Sequence, residues 1–549
     1  MSKVIDGRCF QQMILEGAAA IEEKKQQANE LNVFPVPDGD TGTNMSLTMG
    51  AAARELERLG DAPTLKQAVE TTSSALLRGA RGNSGVITSL LFRGMAKKLK
   101  EKEEADGVDL AVALREGVET AYKAVMKPTE GTILTVSRVS AQHAVELCQA
   151  DSTLTCAQVL DAVIESAQQA LAETQFQNPV LEKAGVVDAG AFGYIAILEG
   201  MRDALLGVKR ERKAPQQTRA AADFAEIDEG DIKFTYCTEF IAERRDQSRN
   251  VDRMRSLFAS IGDSIVVVED DEIVKVHVHT NHPDRVLAEG LKYGPLITIK
   301  IENMRQQHSH KVMDQMAATA TPAKREIAPP EKKYGFVSVA AGEGMAGIFA
   351  DLGVDQVVQG GQTMNPSTDD ILRAVDAVPA EIVFILPNNK NIIMAAEQTA
   401  PLSEKRVITL PTKNIPQGIS AMLAFDPDGE EQDNEQAMRE AAGHVRAGQV
   451  TYAARNSDFD GRKIKEGEYL ALYEGKLTSN TRKMDDAVRK LVREMTRKPA
   501  SFATVIYGQG VTEEEAERIA DLFRKEVPEI EVTVIDGGQP VYFFILSVE

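Results

Sequence analysis

The sequence predicts a multidomain chain, with an all-α domain at residues 1–208, a small α+β domain at 231–314 and an α/β domain with an internal repeat at 334–549. Three observations predict it. In the first stretch apolar residues recur at helical spacing and β-branched runs are nearly absent. In the middle the apolar period drops to two. In the last stretch two segments share the order strand, Gly-x-Gly turn, helix, strand, Gly-Gly-Gln. The seams at 209–230 and 315–333 are charged or rich in Ala and Pro, and read as linkers.

In chain order, residues 10–31 place Phe10, Met13, Ile14, Ala18 and Ile21 on one helical face, and Leu65–Leu77, Leu110–Val125 and Ala157–Leu171 repeat the pattern. Together they read as a helix bundle. Next come strands at Phe234–Ile241, Ile265–Val268 and Ile273–His279, with helices at Arg253–Ile261 and Asp284–Leu291. The repeat runs from YGFVSVAAGEG to Gly360-Gly361-Gln362, and again from FATVIYGQG to Gly537-Gly538-Gln539. Between the copies, EIVFILPNNKN is a buried strand ending in a polar turn, so parallel βαβ layers are expected. Residues 425–435 read as an exposed loop or a short helix start.

Composition excludes several classes. The 549 residues carry 63 Lys+Arg against 83 Asp+Glu, a net charge of −20, and are 43% hydrophobic. That is ample for real cores. Such acidity argues against a nucleic-acid partner, and the absence of Trp leaves no evident stacking platform. Cys9, Cys148, Cys156 and Cys237 form no CxxC pair and fit a reducing cytoplasm. No apolar run approaches the length of a membrane span, and the first residues do not resemble a signal peptide.

The densest polar constellation is NVFPVPDGDTGTNM, from Asn32 to Met45. Asp38 and Asp40, with Gly39 between them, can converge on a hard cation such as Mg²⁺. Thr41, Gly42, Thr43 and Asn44 offer hydroxyls and amides at the start of a helical pattern, where phosphate binds readily. An Asx turn that merely caps the helix explains the same residues. A second loop, RGARGNSG, brings Arg78, Arg81, Asn83, Ser84 and Gly85; a plain glycine-rich connection is its alternative. No P-loop pattern occurs. KPTEGT at 127–132 and VVDAGAFG at 186–193, with Asp188, complete four polar loops on one helical domain.

Taken together, these four motifs resemble the nucleotide-binding subunit of the dihydroxyacetone kinase family. The whole chain, with its linkers and Gly-Gly-Gln repeats, resembles the catalytic subunit of the bacterial fatty acid kinase family. The resemblance implies an eight-helix barrel that binds ATP with two Mg²⁺ ions. On that pattern Asp38 and Asp40 are metal ligands and catalytic residues. Thr41, Thr43, Asn44, Arg81, Asn83, Ser84, Gly85 and Asp188 would hold the nucleotide. Sugar-kinase relatives carry a third Asp; near that place this chain has the neutral Asn32. The resemblance also implies a fatty-acid-binding protein partner that presents the carboxylate, an acyl phosphate product serving phospholipid synthesis, and docking of that partner on the C-terminal domain. Asn365, Asn388, Asn389 and the Gly-Gly-Gln turns are candidate contacts for it, and tight turns explain them equally well. The alternatives are a non-catalytic nucleotide-binding regulator and a dihydroxyacetone-type sugar kinase subunit.

The middle domain holds its own set. His277 and His279 alternate on one strand, Cys237 lies on another, and five of the seven histidines fall within 277–310. One thiolate and two imidazoles suit a structural Zn²⁺, with His282, Glu239 or water as fourth ligand. Ordinary strand histidines beside a buried Cys are the plain alternative. The family resemblance implies zinc at this set and a homodimer formed through this domain. His308 and His310 read as solvated residues at a helix end. Finally, Gly342-Glu-Gly344-Met-Ala-Gly347 is a GxGxxG match after a strand. It lacks an acidic residue after the second strand, and it reads as a tight turn rather than a dinucleotide site.

Overall fold

The computed structural model describes residues 4–32, 39–60, 62–125, 128–208, 234, 236–243, 251–269, 273–303, 327–360, 365–453, 457–459 and 462–549. The chain divides into two compact units, one formed by Met1–Arg210 with Glu326–Glu549 and the other by Glu211–Arg325.

The first unit opens with helices α1 (Gly7–Leu31), α2 (Thr41–Arg58), α3 (Leu65–Gly79), α4 (Gly82–Leu99), α5 (Gly107–Ala124), α6 (Ile133–Ala150), α7 (Cys156–Gln177), the short α8 (Pro179–Ala184) and α9 (Ala189–Leu205). Each expected helix falls on one of them, Leu110–Val125 overrunning α5 only by its C-cap residue Val125. Their starts are signalled locally. Thr64 and Thr155 form capping boxes with Gln67 and Gln158, and Asp6 caps α1 by accepting from the Cys9 amide. Close helix approach depends on glycine: a Cβ on Gly200 would lie 2.3 Å from the Glu16 carbonyl oxygen, and one on Gly94 2.4 Å from that of Glu116.

The second unit, described by itself, has strands β1 (Tyr236–Glu243), β2 (Gly262–Glu269), β3 (Ile273–Thr280) and β4 (Leu296–Asn303), with α10 (Val251–Ile261) and α11 (Pro283–Gly290). The sheet order is β2-β3-β1-β4, and all its pairs are antiparallel. Its core gathers Phe240, Met254, Phe258, Val274, Val276 and Val278. The alternation that identifies β3 is this burial: every second residue faces the core.

The C-terminal half of the first unit begins with β5 (Lys332–Ala340), α12 (Glu343–Asp351), β6 (Gln356–Gln359), α13 (Thr368–Ala377), β7 (Ala380–Leu386), α14 (Ile393–Glu397), β8 (Arg406–Thr409), α15 (Ile415–Leu423) and α16 (Glu431–His444). The sheet β6-β5-β7-β8 is parallel throughout. The segment at 425–435 leads into α16, with Asn434 bonded both ways to the Asp426 backbone. Then come β9 (Arg446–Tyr452), β10 (Ser457–Phe459), β11 (Arg462–Ile464), β12 (Tyr469–Tyr473), β13 (Lys476–Thr481), α17 (Met484–Met495), β14 (Phe502–Tyr507), α18 (Glu513–Glu526), β15 (Glu531–Asp536) and β16 (Phe544–Val548). Six of these form the mixed sheet β13-β12-β9-β16-β14-β15.

Both repeat copies are parallel βαβ units, β5-α12-β6 and β14-α18-β15. They meet at their turns. The Met345 amide donates to the Gly537 carbonyl oxygen at 3.2 Å, and a Cβ on Gly344 would lie 2.2 Å from the Asp536 carbonyl oxygen. The second glycine of GxGxxG therefore admits the other copy's backbone.

One apolar core joins the two halves of this unit. It holds Met13, Ile14, Met45 and Leu76 from the helices together with Val337, Val339, Ile371, Val375, Ile385 and Ile392 from the first C-terminal sheet and its helices. Helices α13 and α14 lie against α3 and α4. This seam positions the candidate site.

Candidate nucleotide and metal site

The site is built where the first turn of α2 meets the turn between α3 and α4. Asp40 is the N-cap residue of α2, but its side chain makes no capping bond to its own helix. Asn29, in the last turn of α1, takes that task. Its Oδ1 accepts from the Thr43 amide at 3.1 Å, and its Nδ2 donates to Thr43 Oγ1 at 3.0 Å. Gly42 lets α1 this close, since a Cβ there would sit 2.2 Å from the Lys25 carbonyl oxygen.

Thr48 ties the two loops together. Its hydroxyl donates to the Asn44 carbonyl oxygen at 2.7 Å and accepts from the Arg81 amide at 3.2 Å. Gly82 has φ +55°, and a Cβ on it would lie 2.6 Å from Asn44 Nδ2; one on Gly85 would lie 2.4 Å from Thr48 Oγ1. The glycines of RGARGNSG are thus a cradle shaped against α2. Like Asp40, Arg81 at the start of α4 gives no capping bond. Two helix starts therefore converge without closure by their own N-cap side chains, an arrangement that favours phosphate.

A third chain segment enters here. Asn365 Nδ2 donates to Asp40 Oδ2 at 2.5 Å, and Arg81 Nη1 donates to the Asn365 carbonyl oxygen at 2.8 Å. Arg81 also pairs with Asp370 at 3.4 Å. The Oδ1 atoms of Asn83 and Asn365 are buried with no hydrogen-bond partner. A carboxylate, two orphaned amide oxygens and a glycine cradle fit a phosphate group carried with a hard cation.

The structure thus brings Asp40, Thr43, Asn44, Arg81 and Gly85 into one place, with Asn83 and Ser84 on the first turn of α4. Asp38 lies outside the described residues. Asn32 is the C-cap residue of α1, its carbonyl oxygen 3.7 Å from where a Gly39 Cβ would be. Asp188 is a helix cap: its carboxylate accepts from the Ala191 amide at 2.8 Å, and the amides of Ile133 and Gly190 also bond to it. It thereby joins the starts of α6 and α9. Burial pushes its carboxyl up to about 6 from 3.8, against the opposing pull of those three amides.

Sequence reasoning missed Asn29 altogether and gave Asn365 another task. The signal for Asn29 was its place in the last turn of a helix just before the Asp-Gly-Asp loop. Asn365, Asn388 and Asn389 are all buried, at 1%, 6% and 5% exposure. Asn388 is engaged by Ser338, the Val339 carbonyl and Thr412.

In the second unit Cys237 is registered opposite His279, and Glu239 opposite His277. His279 is buried. Among the described residues no group of three or more His, Cys, Asp or Glu is placed to hold a metal ion. The side chains of Cys237 and His277 are not among those described, and His308 and His310 lie outside the described residues. No helix among the described residues is long and apolar enough to cross a membrane.

Comparison with known proteins adds three matches along the chain. Residues 35–203 match the DAK2 domain family, 233–311 the middle domain of the FakA-like fatty acid kinase proteins, and 335–549 the C-terminal domain of the same FakA-like proteins. The chain is similar to protein YloV of Bacillus subtilis (strain 168), 41% identical over 557 residues and 100% of both chains. It is 39% identical to a protein of Staphylococcus aureus (strain USA300), again over 557 residues and 100% of both. Among solved structures, the fatty acid kinase B3 protein of Streptococcus pneumoniae loaded with linoleic acid matches 40% of this chain and 99% of its own, with 10% identity and a TM-score of 0.29. A DegV lipid-binding protein of Thermotoga maritima matches 40% of this chain and 98% of its own, with 12% identity and a TM-score of 0.32.

Proposed function

The chain belongs to the FakA-like fatty acid kinase family, and on that premise we propose that it is an ATP-dependent kinase acting on the carboxylate of a fatty acid held by a separate fatty-acid-binding protein. The observation that carries the reading is the convergence of the α2 and α4 starts on Asp40 across the Gly82 and Gly85 cradle. Asp40, with Asp38 and Asn32 from the same loop, would hold two Mg²⁺ ions, which neutralise phosphate charge when bound. Thr41, Thr43, Asn44, Asn83, Ser84 and Arg81 bind and orient the triphosphate. Asp188 fixes the starts of α6 and α9. No general base is required, because a fatty acid carboxylate, with a pKa of about 4–5, is already ionised at neutral pH. Its oxygen attacks the γ-phosphorus, the bond to the β–γ bridging oxygen breaks, and acyl phosphate and ADP leave. That product belongs with phospholipid synthesis in the cytoplasm.

The second unit is proposed to hold a structural Zn²⁺ on Cys237, His277 and His279 and to form a homodimer. What supports the zinc is the register that sets Cys237 opposite His279. The C-terminal half is the proposed platform for the partner.

Purified chain incubated with ATP, Mg²⁺ and a fatty acid tests the function directly. Acyl phosphate is expected only when a fatty-acid-binding partner is added. Phosphorylation of free glycerone instead, or no transfer with the loaded partner, overturns the proposal. Asp40→Ala is expected to abolish transfer in a folded protein.

A further inference from the structure

The residues that make the nucleotide site a single place do not all come from the helical domain. We propose that Asn365, from the C-terminal half, is a positioning residue of the kinase site: its side-chain amide turns the Asp40 carboxylate away from its own helix and presents it to the cation. This rests on the reading of Asp40 as a cation ligand.

An Asp at a helix N-cap ordinarily folds back and accepts from the amides of the first turn. Asp40 occupies that position and does not do so. Two groups contribute to the difference. Asn29 already holds the Thr43 amide, and Asn365 Nδ2 holds Asp40 Oδ2 at 2.5 Å. Carboxylates that ligate metals are commonly oriented by such an outer hydrogen bond, and loss of it weakens metal binding about 10–100-fold.

Asn365 is well placed to be rigid. It is 1% exposed. Its carbonyl oxygen accepts from Arg81 at 2.8 Å, Pro366 restrains its backbone, and the Thr368 amide donates to the Ala80 carbonyl oxygen at 3.1 Å. Ser367 and Arg81 form an antiparallel bridge. Residues 365–368 are thus strapped across the turn proposed to cradle phosphate. The Asn365 Oδ1 is buried without a partner, an acceptor left over for a ligand's donor or cation. The capacity of the helical domain to hold a cation thereby depends on the C-terminal half being docked.

The test is binding of ADP to the full chain as Mg²⁺ is titrated, measured by calorimetry with no acceptor or partner protein present. Asn365→Ala is expected to raise the Mg²⁺ concentration for half-saturation about 10–100-fold. Asn365→Ser gives the same reading if the alanine variant folds poorly. Asp370→Asn removes the ion pair to Arg81 but keeps the Asn365 amide and an amide oxygen able to accept from the Ser367 amide, and is expected to leave the Mg²⁺ requirement unchanged. An unchanged requirement in folded Asn365→Ala overturns the inference, and so does an equal shift in Asp370→Asn, which would mean general docking rather than the amide. Asp40→Asn separates the two levels. If it too leaves the requirement unchanged, the kinase-site reading fails; if only the Asn365 variants are silent, that reading stands and this inference falls.

Discussion

Gly82→Ala isolates what the proposed phosphate cradle contributes. Gly82 has φ +55°, so any L side chain there incurs about 1–2 kcal/mol of backbone strain. A Cβ would also lie 2.6 Å from Asn44 Nδ2 and 3.3 Å from Asn365 Nδ2. Asn44 is 5% exposed and has little room to retreat, so overpacking adds about 1–3 kcal/mol. The sum is a loss of about 2–5 kcal/mol, together with displacement of the amides that define the site. Gly185→Ala is the matched control. Gly185 also has a left-handed φ, +67°, but a Cβ there meets nothing within 4 Å. It carries only the strain, about 1–2 kcal/mol. Urea unfolding followed by circular dichroism measures both losses, and calorimetry with Mg²⁺ and ADP measures affinity. The expected result is a larger loss at Gly82, with nucleotide affinity weakened there and retained in Gly185→Ala. Equal losses with unchanged affinity would refute the cradle.

Three other outcomes are expected. The Asp188 carboxyl titrates near 6 in the fold against 3.8 ordinarily, so the folded state holds its proton more tightly than the unfolded chain. Its contribution to stability is full below about 4 and is lost as pH rises through about 6; Asp188→Asn, which keeps a capping side chain, should flatten urea midpoints across that window. Burial pushes the Cys156 thiol up to about 12 and Cys9 to about 11, so native protein near neutral pH should resist iodoacetamide at both, while chelation should expose Cys237 to labelling if it ligates zinc; peptide mass mapping reads all three. Gly344→Ala should lose roughly 1–3 kcal/mol, because its Cβ would press on the Asp536 carbonyl, whereas Gly347→Ala in the same GxGxxG run meets nothing within 4 Å and should be neutral or stabilising in denaturant midpoints.

Local parts of the molecule are legible in the sequence, and long-range ones are hidden. Helices announce themselves through period and caps, as Thr64 with Gln67 and Thr155 with Gln158 show. Strand β3 is readable because Val274, Val276 and Val278 alternate into a core. Strand β4 carries a similar alternation in LITIKIEN that sequence reasoning missed. The Asp-Gly-Asp and RGARGNSG loops can be identified because their chemistry is concentrated in a few adjacent residues. Their meeting point cannot, since Thr48 joins them from the second turn of α2. Asn365 lies 325 residues from Asp40, and nothing in its surroundings signals a carboxylate partner. Its neighbours Pro366 and Ser367 look like helix-start punctuation, which they also are: Ser367 caps α13.

The core shared by the two halves of the first unit has a consequence for the order in which the protein is made. Met45 and Leu76 belong to the same cluster as Val337 and Ile385, which leave the ribosome much later. At about 5–20 residues per second, the 325 residues between Asp40 and Asn365 take roughly 16–65 s to synthesise. During that interval the helices can form, but the surface destined for α13 and α14 stays bare and Asp40 lacks its amide. If Asn365 positions Asp40 as proposed, a nascent chain cannot hold nucleotide with full strength before its C-terminal half has emerged, and a truncated product is defective at its N-terminal end.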